Sequence, residues 1–510
     1  MKNSLFITLV ILAGLSLAAE EPQKPNVIVI MADDLGYGDL SCYGTESFET
    51  PYIDQLATEG VRFTSGYCSA STCTPTRWSF LTGTYAFREK NTGIAAPSSP
   101  LRVNHEITCI GDMFKTAGYS TAIIGKWHLG LGGEDGPDWN GELKPGPLEI
   151  GFDTCFLLPT TNDRVPQVYV KDHHVLNLDP SDPIWVGSKA PSPEHPTGIN
   201  QRETLKMDWT HGHNATIHNG ISRIGFYTGG HKARFRDEDL ADKWVEQSLE
   251  FMEENKDGPF FLFFASHDLH VPRIPHERFQ GKTDLGYRAD VIVQLDWCVG
   301  EIMKGLDDLG LAENTMIVFC SDNGPVMDDG YADEALEKLG DHKAGGVFTG
   351  GKYSVYEGGT RTPFITRWKG TIEPGVSDEM VCTIDLYSSF ASLTGTAVEE
   401  DAARDSIDVM GALLGKEGAK GRSELVQQDN GSRGNFGFRR GDWKLQVHAQ
   451  GKARNVVVEK LLETTAVPKI QLFNLADDPV EKNDLAESNA KKAEEMKARL
   501  DKIIADGRSR

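Results

Sequence analysis

The chain has no segment long enough to cross a membrane and no excess of positive charge. Its apolar run from Leu5 to Leu15 is interrupted by Thr8 and Gly14, and no later segment offers an uninterrupted one. A bilayer span needs about 20 apolar residues. Lysine and arginine number 52 against 75 acidic residues, which gives a net charge of −23. This balance argues against nucleic acid, and against an anionic membrane surface, as a partner.

The first 18 residues have the features of a secretory signal peptide. Lys2 supplies a positive charge, the apolar run follows it, and Ser16-Leu17-Ala18 places small residues at the cleavage position. Such segments are removed on export and take no part in the folded protein. We therefore predict a signal peptide at 1–18 and an exported protein that is periplasmic or secreted.

Cysteine is scarce and follows no recognisable spacing. The eight cysteines include no CxxC pair and no regular framework. In an exported protein some of them could pair, but the sequence does not say which. Free and paired cysteines therefore stay open as alternatives.

The composition is that of a globular protein large enough for two domains. Hydrophobic residues make up 39% and charged residues 25% of the chain, which argues against extensive disorder. Apolar strand-like segments alternate with helical segments over 24–395, which is typical of an α/β fold with a large, mostly parallel or mixed sheet between helices. Residues 151–236 lose this periodicity, so we interpret them as an insertion of substrate-binding loops. The more polar residues 396–510 are predicted to form a smaller α+β subdomain with an antiparallel sheet.

Four apolar segments are predicted strands, and each is followed directly by side chains that can do chemistry. The strands are expected near 26–31, 120–124, 259–265 and 315–320, and the residues that follow them are Asp33 and Asp34, Lys126 and His128, His270, and Asp322 and Asn323. In an open α/β sheet the ligand site lies outside the carboxyl ends of the strands. Four distant segments are therefore predicted to meet in one crevice.

A separate segment, Ser71-Thr72-Cys73-Thr74-Pro75-Thr76-Arg77, is predicted to begin a helix. Thr74 followed by Pro75 has the character of a helix N-cap with proline at the first helical position. Cys73 would then lie at the positive end of the helix dipole, a place that suits a group carrying negative charge. Leu81-Thr82-Gly83 follows in the same segment.

Together these motifs resemble the formylglycine-dependent type I sulfatases, which are arylsulfatase-like members of the alkaline phosphatase superfamily. The resemblance rests on Cys-x-Pro-x-Arg with its Leu-Thr-Gly tail, on the block 125–130, on His270-Val271-Pro272, on the block 321–325, and on the block 350–363 that holds Lys352. It implies an alkaline-phosphatase-like fold and the hydrolysis of sulfate esters. It also implies that a maturation enzyme oxidises Cys73 to formylglycine, an aldehyde whose hydrate attacks the sulfur of the ester.

The resemblance also implies a role for each residue of the predicted crevice. The implied catalytic residues are Cys73, Arg77, Lys126, His128, His270 and Lys352. The implied metal ligands are Asp33, Asp34, Asp322, Asn323 and the modified residue 73. Such an all-oxygen set suits Ca²⁺ best, with Mg²⁺ as the runner-up.

The expected substrate is a sulfated carbohydrate, because an exported sulfatase with long loops suggests a glycan or polysaccharide. The candidate substrate-binding residues are Asn162, Asp163, Arg164, His211, His213 and His267. The spacing of the histidines in the insertion matches no common zinc site. The sequence specifies neither the sugar nor the hydroxyl that carries the sulfate.

Two alternative functions stay open. The first is a phosphonate or phosphate ester hydrolase of the same superfamily, some members of which also use formylglycine. The oxygen-only ligand set, together with Lys126 and Lys352, favours sulfate over phosphate. The second is a catalytically silent protein that binds sulfated glycans, which the presence of every matched catalytic position argues against.

Overall fold

A computed structural model describes residues 24–430, 435–454 and 464–510 of the chain. The predicted signal peptide at 1–18 lies outside these residues. Within them, no helix is long and apolar enough to cross a membrane. All eight cysteines are free thiols, which settles the question of pairing that the sequence left open.

Helices and strands alternate along the chain until about residue 395, and strands outnumber helices after it. The α-helices are α1 (Pro51–Thr58), α2 (Cys73–Thr82), α3 (Ile110–Thr116), α4 (Leu240–Glu254), α5 (Tyr287–Asp308), α6 (Glu357–Thr360), α7 (Leu386–Thr394), α8 (Met410–Leu413) and α9 (Ala490–Ala505). Short 3-10 helices lie at Ser41–Tyr43, Ala86–Arg88, Pro147–Ile150, Arg202–Thr204, His231–Ala233, Asp237–Asp239, Ala312–Asn314 and Thr383–Asp385.

Most strands belong to two sheets, and the remainder form two-stranded ribbons. The strands are β1 (Asn26–Ala32), β2 (Val61–Phe63), β3 (Gly66–Tyr67), β4 (Ser120–Lys126), β5 (Thr154–Leu158), β6 (Val170–Lys171), β7 (His174–Val175), β8 (Trp185–Gly187), β9 (Ile217–His218), β10 (Ile221–Ser222), β11 (Phe226–Thr228), β12 (Phe260–Ala265), β13 (Thr315–Ser321), β14 (Phe364–Arg367), β15 (Gly375–Ser377), β16 (Val381–Cys382), β17 (Glu424–Gln428), β18 (Phe436–Arg440), β19 (Trp443–Val447), β20 (Lys452–Arg454), β21 (Thr464–Ala466) and β22 (Ile470–Asn474).

The larger sheet has ten strands in the order β15-β2-β14-β13-β1-β12-β4-β5-β6-β7. Its five central strands, from β13 to β5, run parallel, and antiparallel neighbours extend it on both sides. This confirms the predicted α/β fold. Strand β1 is hydrogen-bonded to β13 and β12 along almost its whole length, as expected from its continuous apolar run.

Side chains that alternate along the central strands form two separate hydrophobic cores. In β1, Val27, Val29 and Met31 belong to one core, whereas Ile28 and Ile30 belong to the other. Helices α2, α3 and α7 cover the first face of the sheet, and α1, α4 and α5 cover the second. Because both faces are buried, the central strands are held rigidly and their carboxyl ends can support a site.

The last part of the chain forms a four-stranded antiparallel sheet in the order β17-β18-β19-β22. This confirms the predicted antiparallel C-terminal sheet. Its core contains Leu445 of β19 and Leu500 of α9, together with Tyr67 and Ile384 from the first part of the chain. The C-terminal sheet therefore shares a hydrophobic core with the part of the chain that precedes it.

Candidate active site

The carboxyl ends of four adjacent parallel strands meet at one edge of the main sheet. In the order β13, β1, β12 and β4, they carry Asp322, Asp33, His270 and Lys126 at or just beyond their last residues. All four side chains are buried. The Asp33 backbone N–H donates to the carbonyl oxygen of Asp268 at 2.8 Å, which ties the turn after β1 to the turn after β12. The four segments that the sequence places in one crevice do lie together.

Three buried carboxylates occupy the centre of this edge. Asp33, Asp34 and Asp322 each place an oxygen within 4.8 Å of the others, and all three are at most 1% exposed. Burial, reinforced by the charge of Asp322, raises the pKa of Asp33 to about 8. Negative charges this close together and this far from water need compensating positive charge.

The oxygens of this cluster fit a hard cation. Asp33 Oδ1 and the Asn323 amide oxygen are buried and accept no hydrogen bond from the described residues. The Asn323 amide nitrogen, in contrast, donates to Asp34 Oδ1 at 2.7 Å. A buried oxygen without a donor costs about 1–3 kcal/mol, and a metal ion would satisfy both oxygens. Carboxylate and amide oxygens are the ligands that Ca²⁺ and Mg²⁺ prefer.

Two cations of the chain contact the same carboxylates. Arg77 donates from Nε to Asp322 Oδ2 at 2.9 Å, and its Nη2 lies 3.7 Å from Asp33 Oδ2. Lys126 donates from Nζ to the same Asp33 oxygen. Arg77 also donates to the backbone carbonyl of Lys126 at 3.1 Å. Helix α2 and strand β4 are therefore joined to each other across the carboxylates.

Helix α2 presents Cys73 at its N-terminus. The helix begins at Cys73, and Thr72 precedes it in an extended conformation, so the predicted N-cap at Thr74 is wrong by two residues. Thr74 donates instead to the carbonyl oxygen of His128 at 3.0 Å, which fixes the helix to the loop after β4. Cys73 still lies at the positive end of a helix, as the sequence predicts, and is 2% exposed.

His128 faces Cys73, and the hydrogen-bond partners of its ring show which ring nitrogen carries the proton. Its Nδ1 lies 3.1 Å from Cys73 Sγ, and its Nε2 lies 3.1 Å from the carbonyl oxygen of Ala95. Because a carbonyl oxygen only accepts hydrogen bonds, Nε2 carries the proton. Burial, followed by the charge of Lys126, holds the pKa of His128 well below its usual value. The neutral ring therefore turns an unprotonated Nδ1 towards residue 73.

Lys352 reaches the same centre from the long connection between β13 and α6. Its Nζ lies 2.9 Å from Asp34 Oδ2 and 2.9 Å from Asp329 Oδ2. Asp329 is not predicted from the sequence, because Asp328-Asp329-Gly330 has the composition of an ordinary turn and its lysine partner is 23 residues away. Asp34, His270 and Asp329 also place potential metal-ligating atoms within 4.8 Å of one another. The Lys352 ammonium bridges two of these three residues.

His270 is buried beside these charges, just after β12. Its Nδ1 lies 2.7 Å from the carbonyl oxygen of Val271, so Nδ1 carries a proton and Nε2 is left for another partner. Burial, followed by the charges of Lys126 and Lys352, holds the pKa of His270 well below its usual value. Burial and the two lysines together therefore keep the ring neutral.

Part of the insertion lies against the crevice. Asp163 accepts hydrogen bonds from Arg164 at 2.9 Å and from His213 at 3.0 Å. Burial opposes the charged form of His213, but the hydrogen bond to Asp163 raises its pKa. Asn162 donates to the carbonyl oxygen of Pro272 at 2.9 Å, beside the His270 turn. The structure thus brings four of the six predicted substrate-binding residues to one side of the crevice.

The remaining two predicted residues lie elsewhere. His211 has a side chain that is 45% exposed, on the outer side of the insertion near Asp328. His267 is buried, and its Nδ1 accepts a hydrogen bond from Trp244 Nε1 at 3.0 Å. That is the setting of a histidine built into the core, so the geometry does not support contact between His267 and a substrate.

Three non-glycine residues in the crevice have left-handed backbone conformations. They are Asp34 with φ 58°, His128 with φ 55° and Tyr353 with φ 71°. Such conformations cost of order 1 kcal/mol and persist where the surroundings hold them. One lies in the carboxylate cluster, one beside Cys73 and one next to Lys352, which marks this edge of the sheet as a functional site.

Comparison with known proteins finds relatives over nearly the whole chain. The profile of the sulfatase family matches residues 25–396. The chain is 45% identical over 484 residues to an N-acetylgalactosamine-6-O-sulfatase of Bacteroides thetaiotaomicron, covering 95% of this chain and 94% of that protein. It is 31% identical over 529 residues to arylsulfatase A of Homo sapiens, covering 99% of this chain and 92% of that protein.

A solved structure is also similar. It comes from work on the metabolism of multiple glycosaminoglycans by Bacteroides thetaiotaomicron. It matches with a TM-score of 0.89 at 44% identity, and the match covers 95% of this chain and 100% of that chain. The fold and the sequence profile therefore agree.

Proposed function

The chain belongs to the sulfatase family of sulfuric ester hydrolases, and from this premise we propose that it removes sulfate from a carbohydrate of the glycosaminoglycan class. The candidate substrate is a 6-O-sulfated N-acetylgalactosamine unit, because the relative of that name aligns over 95% of the chain at 45% identity. The observation that carries the proposal is a crevice in which Cys73, two lysines and a set of oxygen ligands face one another.

A divalent cation, Ca²⁺ before Mg²⁺, would be held by the carboxylate cluster. The ligands would be Asp33, Asp34, Asp322, Asn323 and the modified residue 73. When bound, the cation would neutralise negative charge on the sulfate and on the oxygen of residue 73. The two buried oxygens without donors support this assignment.

We propose that a maturation enzyme converts Cys73 to formylglycine. The hydrated aldehyde would supply the oxygen that attacks sulfur and a second hydroxyl that releases sulfate afterwards. The Sγ of Cys73 marks where this group lies. The N-terminus of α2 and the charge of Arg77 favour an ionised oxygen at that position. His128 Nδ1, 3.1 Å from Sγ, can accept a proton from it.

Lys126 and Lys352 would bind the sulfate group. An ammonium has three N–H donors, of which Lys126 directs one to Asp33, and Lys352 directs two to Asp34 and Asp329. Each lysine therefore keeps a donor for a sulfate oxygen. Both ammonium groups are buried, where they interact strongly with negative charge that shifts between oxygens during the reaction.

His270 would act as the general acid. The negative charge of a bound sulfate group would raise the pKa of the ring and place a proton on Nε2. That proton would pass to the sugar oxygen as the S–O bond breaks. The Val271 carbonyl, held by Nδ1–H, fixes the orientation of the ring.

The remaining assignments concern the chain as a whole. We propose a catalytic domain at 24–395 in which the insertion 151–236 contacts the sugar through Asn162, Asp163, Arg164 and His213. Residues 396–510 would form the C-terminal subdomain. The protein would be exported and act on its substrate outside the cytoplasm.

A phosphate or phosphonate ester hydrolase is the second candidate function. Hydrolases of that kind often use two metal ions. In the described part of the chain, Lys352 bridges two of the three residues that could hold a second ion. This favours a site with one metal ion and a sulfate ester as the substrate.

The function is tested by combining mass spectrometry with assays on defined esters. We expect an aldehyde at residue 73, and sulfate release from N-acetylgalactosamine 6-sulfate that is faster than from the 4-sulfate or from the matched phosphate ester. Cys73→Ser, produced in a host that does not modify it, should lose turnover and keep its melting temperature. Full activity of that variant without an aldehyde would overturn the scheme. Absence of the aldehyde in the native host would instead favour a glycan-binding protein.

A further inference from the structure

Asp329 is a buried carboxylate beside a lysine that is proposed to bind an anion, and the proposed reaction gives it no role. It is 7% exposed, and its Oδ2 lies 2.9 Å from Lys352 Nζ and 3.3 Å from the Tyr353 hydroxyl. Burial opposes its charge, but Lys352 holds the pKa of Asp329 below its usual value. An ionised carboxylate next to a sulfate site repels the substrate, so its position needs an explanation.

One side of the Asp329 loop is fixed to the His270 turn by a buried arginine. Arg273 donates to the carbonyl oxygens of Val326 at 2.7 Å and Met327 at 2.9 Å. It also donates to Asp333 at 2.7 Å. The chain is thus held by backbone contacts before Asp329 and by the Asp333 side chain after it, which is not the setting of a carboxylate on a mobile surface turn.

The other side of the loop packs on the insertion. Gly330 lies so close to His213 that a Cβ at this position would be 1.8 Å from the imidazole Nδ1. The Thr210 backbone N–H donates to the Gly330 carbonyl at 3.0 Å. The Tyr331 hydroxyl donates to the carbonyl of Ser222 at 2.7 Å. Asp329 is therefore held from both sides with its carboxylate directed at Lys352.

The Lys352 ammonium has a carboxylate on each of two sides. Asp34 is one of them, but Asp34 is also a proposed metal ligand, so its oxygens are shared with a cation that repels the ammonium. Asp329, in contrast to Asp34, has no other role in the proposed reaction. A charge-assisted hydrogen bond of this kind fixes a flexible lysine side chain in one position.

We propose that Asp329 is a positioning residue that holds the Lys352 ammonium between Asp34 and the sulfate, so that one N–H is directed at a sulfate oxygen. This inference rests on the proposed function, because Asp329 acts through the sulfate-binding role of Lys352. Asp329 contacts no substrate atom in this scheme. The role requires a hydrogen-bond acceptor at position 329, and it is independent of the alcohol that carries the sulfate.

The test compares Asp329→Ala and Asp329→Asn on a sulfated sugar and on an aryl sulfate, which has no sugar hydroxyl. Asp329→Ala should lower kcat/KM by about 10- to 100-fold on both substrates, the range expected for a lost hydrogen bond to a charged group. Asp329→Asn should recover most of the activity, because its amide oxygen can accept the same hydrogen bond. Asp328→Asn is the matched control, since that neighbouring side chain accepts hydrogen bonds from the Thr210 hydroxyl and the Gly330 N–H, which an amide oxygen can also accept, and it should keep wild-type activity.

A double-mutant cycle with Lys352→Ala separates positioning from other effects. In the Lys352→Ala background, Asp329→Ala should change activity on the aryl sulfate by less than about threefold, because the two residues act as a unit. The same loss in both backgrounds, or a loss confined to the sugar substrate, would overturn the proposal. If Asp329→Ala does not fold, Asp329→Ser, whose hydroxyl cannot reach Lys352, takes its place. Wild-type protein inactive on every sulfate ester would contradict the proposed function, whereas an active wild type with an unaffected Asp329→Ala contradicts only this inference.

Discussion

Single residues in the crevice work as pairs of opposite charge. Arg77 faces Asp322, Lys126 faces Asp33, and Lys352 lies between two carboxylates. Breaking a buried pair by removing one partner leaves an uncompensated charge and costs about 3–5 kcal/mol. The pairs hold the cations in place before any substrate arrives. They also show how a chain with a net charge of −23 can bind an anion, because the field at the site is local.

The proposed role of His270 as general acid predicts that the effect of its loss depends on the leaving group. His270→Ala should reduce kcat by about 10²- to 10⁴-fold on a sulfated sugar, because an alkoxide needs a proton to leave. On an aryl sulfate with an acidic phenol the loss should be less than about tenfold, since the phenolate leaves without help. Steady-state kinetics on the two substrates measures the difference. Equal losses on both would rule out general acid catalysis by this ring.

A matched control for this prediction is His267→Ala. His267 precedes the same turn but bonds to Trp244 in the core. Its loss should change stability and leave the leaving-group dependence as in the wild type.

At this scale the sequence predicts residues that follow strands and misses those that act from loops. Lys126 ends strand β4 and His270 lies in the turn after β12, so their convergence follows from the topology of a parallel sheet. Asp329 has no such signal, because it lies in a connection without periodicity and meets its partner only after folding. His267 shows the opposite error, since a residue beside a motif can belong to the core.

Among the structural elements, the C-terminal sheet directly supports two segments of the crevice. The Ser71 backbone N–H, two residues before Cys73, donates to the carbonyl of Gln428 at the end of β17, at 2.9 Å. The Tyr353 N–H then donates to the carbonyl of Ser71 at 2.7 Å, which links the Lys352 segment to the start of α2. Strand β17 therefore helps to set the position of both Cys73 and Lys352.

A buried lysine joins the C-terminal sheet to the start of α6. Lys444 of β19 lies 2.8 Å from Glu357 and 3.0 Å from Glu481, with all three side chains fully buried. Lys444→Met would leave Glu481 without the cation it pairs with, beside a Glu357 that still pairs with Arg361, so we expect a loss of about 3–5 kcal/mol in the free energy of unfolding. Denaturant unfolding measures the loss.

The control for this variant is Lys304→Met. Lys304 pairs with Asp308 on the exposed surface of α5, and such pairs contribute about 0–1 kcal/mol. A similar small effect in both variants would show that the buried triad is not a stabilising link.

The sequence predicts the central strands and the C-terminal sheet. It does not predict the hydrogen bonds through which the C-terminal sheet supports the crevice at the ends of the central strands. Apolar runs with polar ends identify β1, β4, β12 and β13 without further information. The Ser71 N–H and hydroxyl both donate to the backbone carbonyl of Gln428, 357 positions away, and a backbone acceptor leaves no trace in the sequence. The predicted N-cap at Thr74 is wrong for a related reason. The Thr74 hydroxyl donates to the backbone carbonyl of His128, a contact with a distant segment that forms only on folding.

For the molecule as a whole, buried carboxylates make the stability depend on pH. Asp296 of α5 accepts hydrogen bonds from the backbone N–H groups of Tyr52 and Ile53 at the start of α1. Burial nevertheless raises the pKa of Asp296 to about 7, from an ordinary value of 3.8. The folded state thus binds a proton between about pH 4 and pH 7 that the unfolded state does not.

This proton stabilises the folded state below about pH 4, and the stabilisation is lost as the pH rises through about 7. Asp296 therefore contributes a fall in melting temperature between pH 5 and pH 8. Asp296→Asn should flatten that fall, with an effect on the order of 2–4 kcal/mol. The exposed Asp308→Asn is the control and should leave the profile unchanged. The same slope in the wild type and in Asp296→Asn would contradict the assignment.

The carboxylate cluster links the ends of four strands, so the proposed cation should stabilise the entire fold. Without a cation, Asp33 Oδ1 and Asn323 Oδ1 stay buried without a donor, and three carboxylates repel one another. Ligand that binds only the folded state adds about 2.7 kcal/mol at 100 times its dissociation constant, which is a shift of a few degrees for a protein of this size. Melting after treatment with a chelator should therefore occur at a lower temperature, and Ca²⁺ should restore it more fully than Mg²⁺. Asp322→Asn, which removes one charge from the cluster, should weaken the response to Ca²⁺. A melting temperature that neither the chelator nor Ca²⁺ changes would show that these oxygens hold no ion.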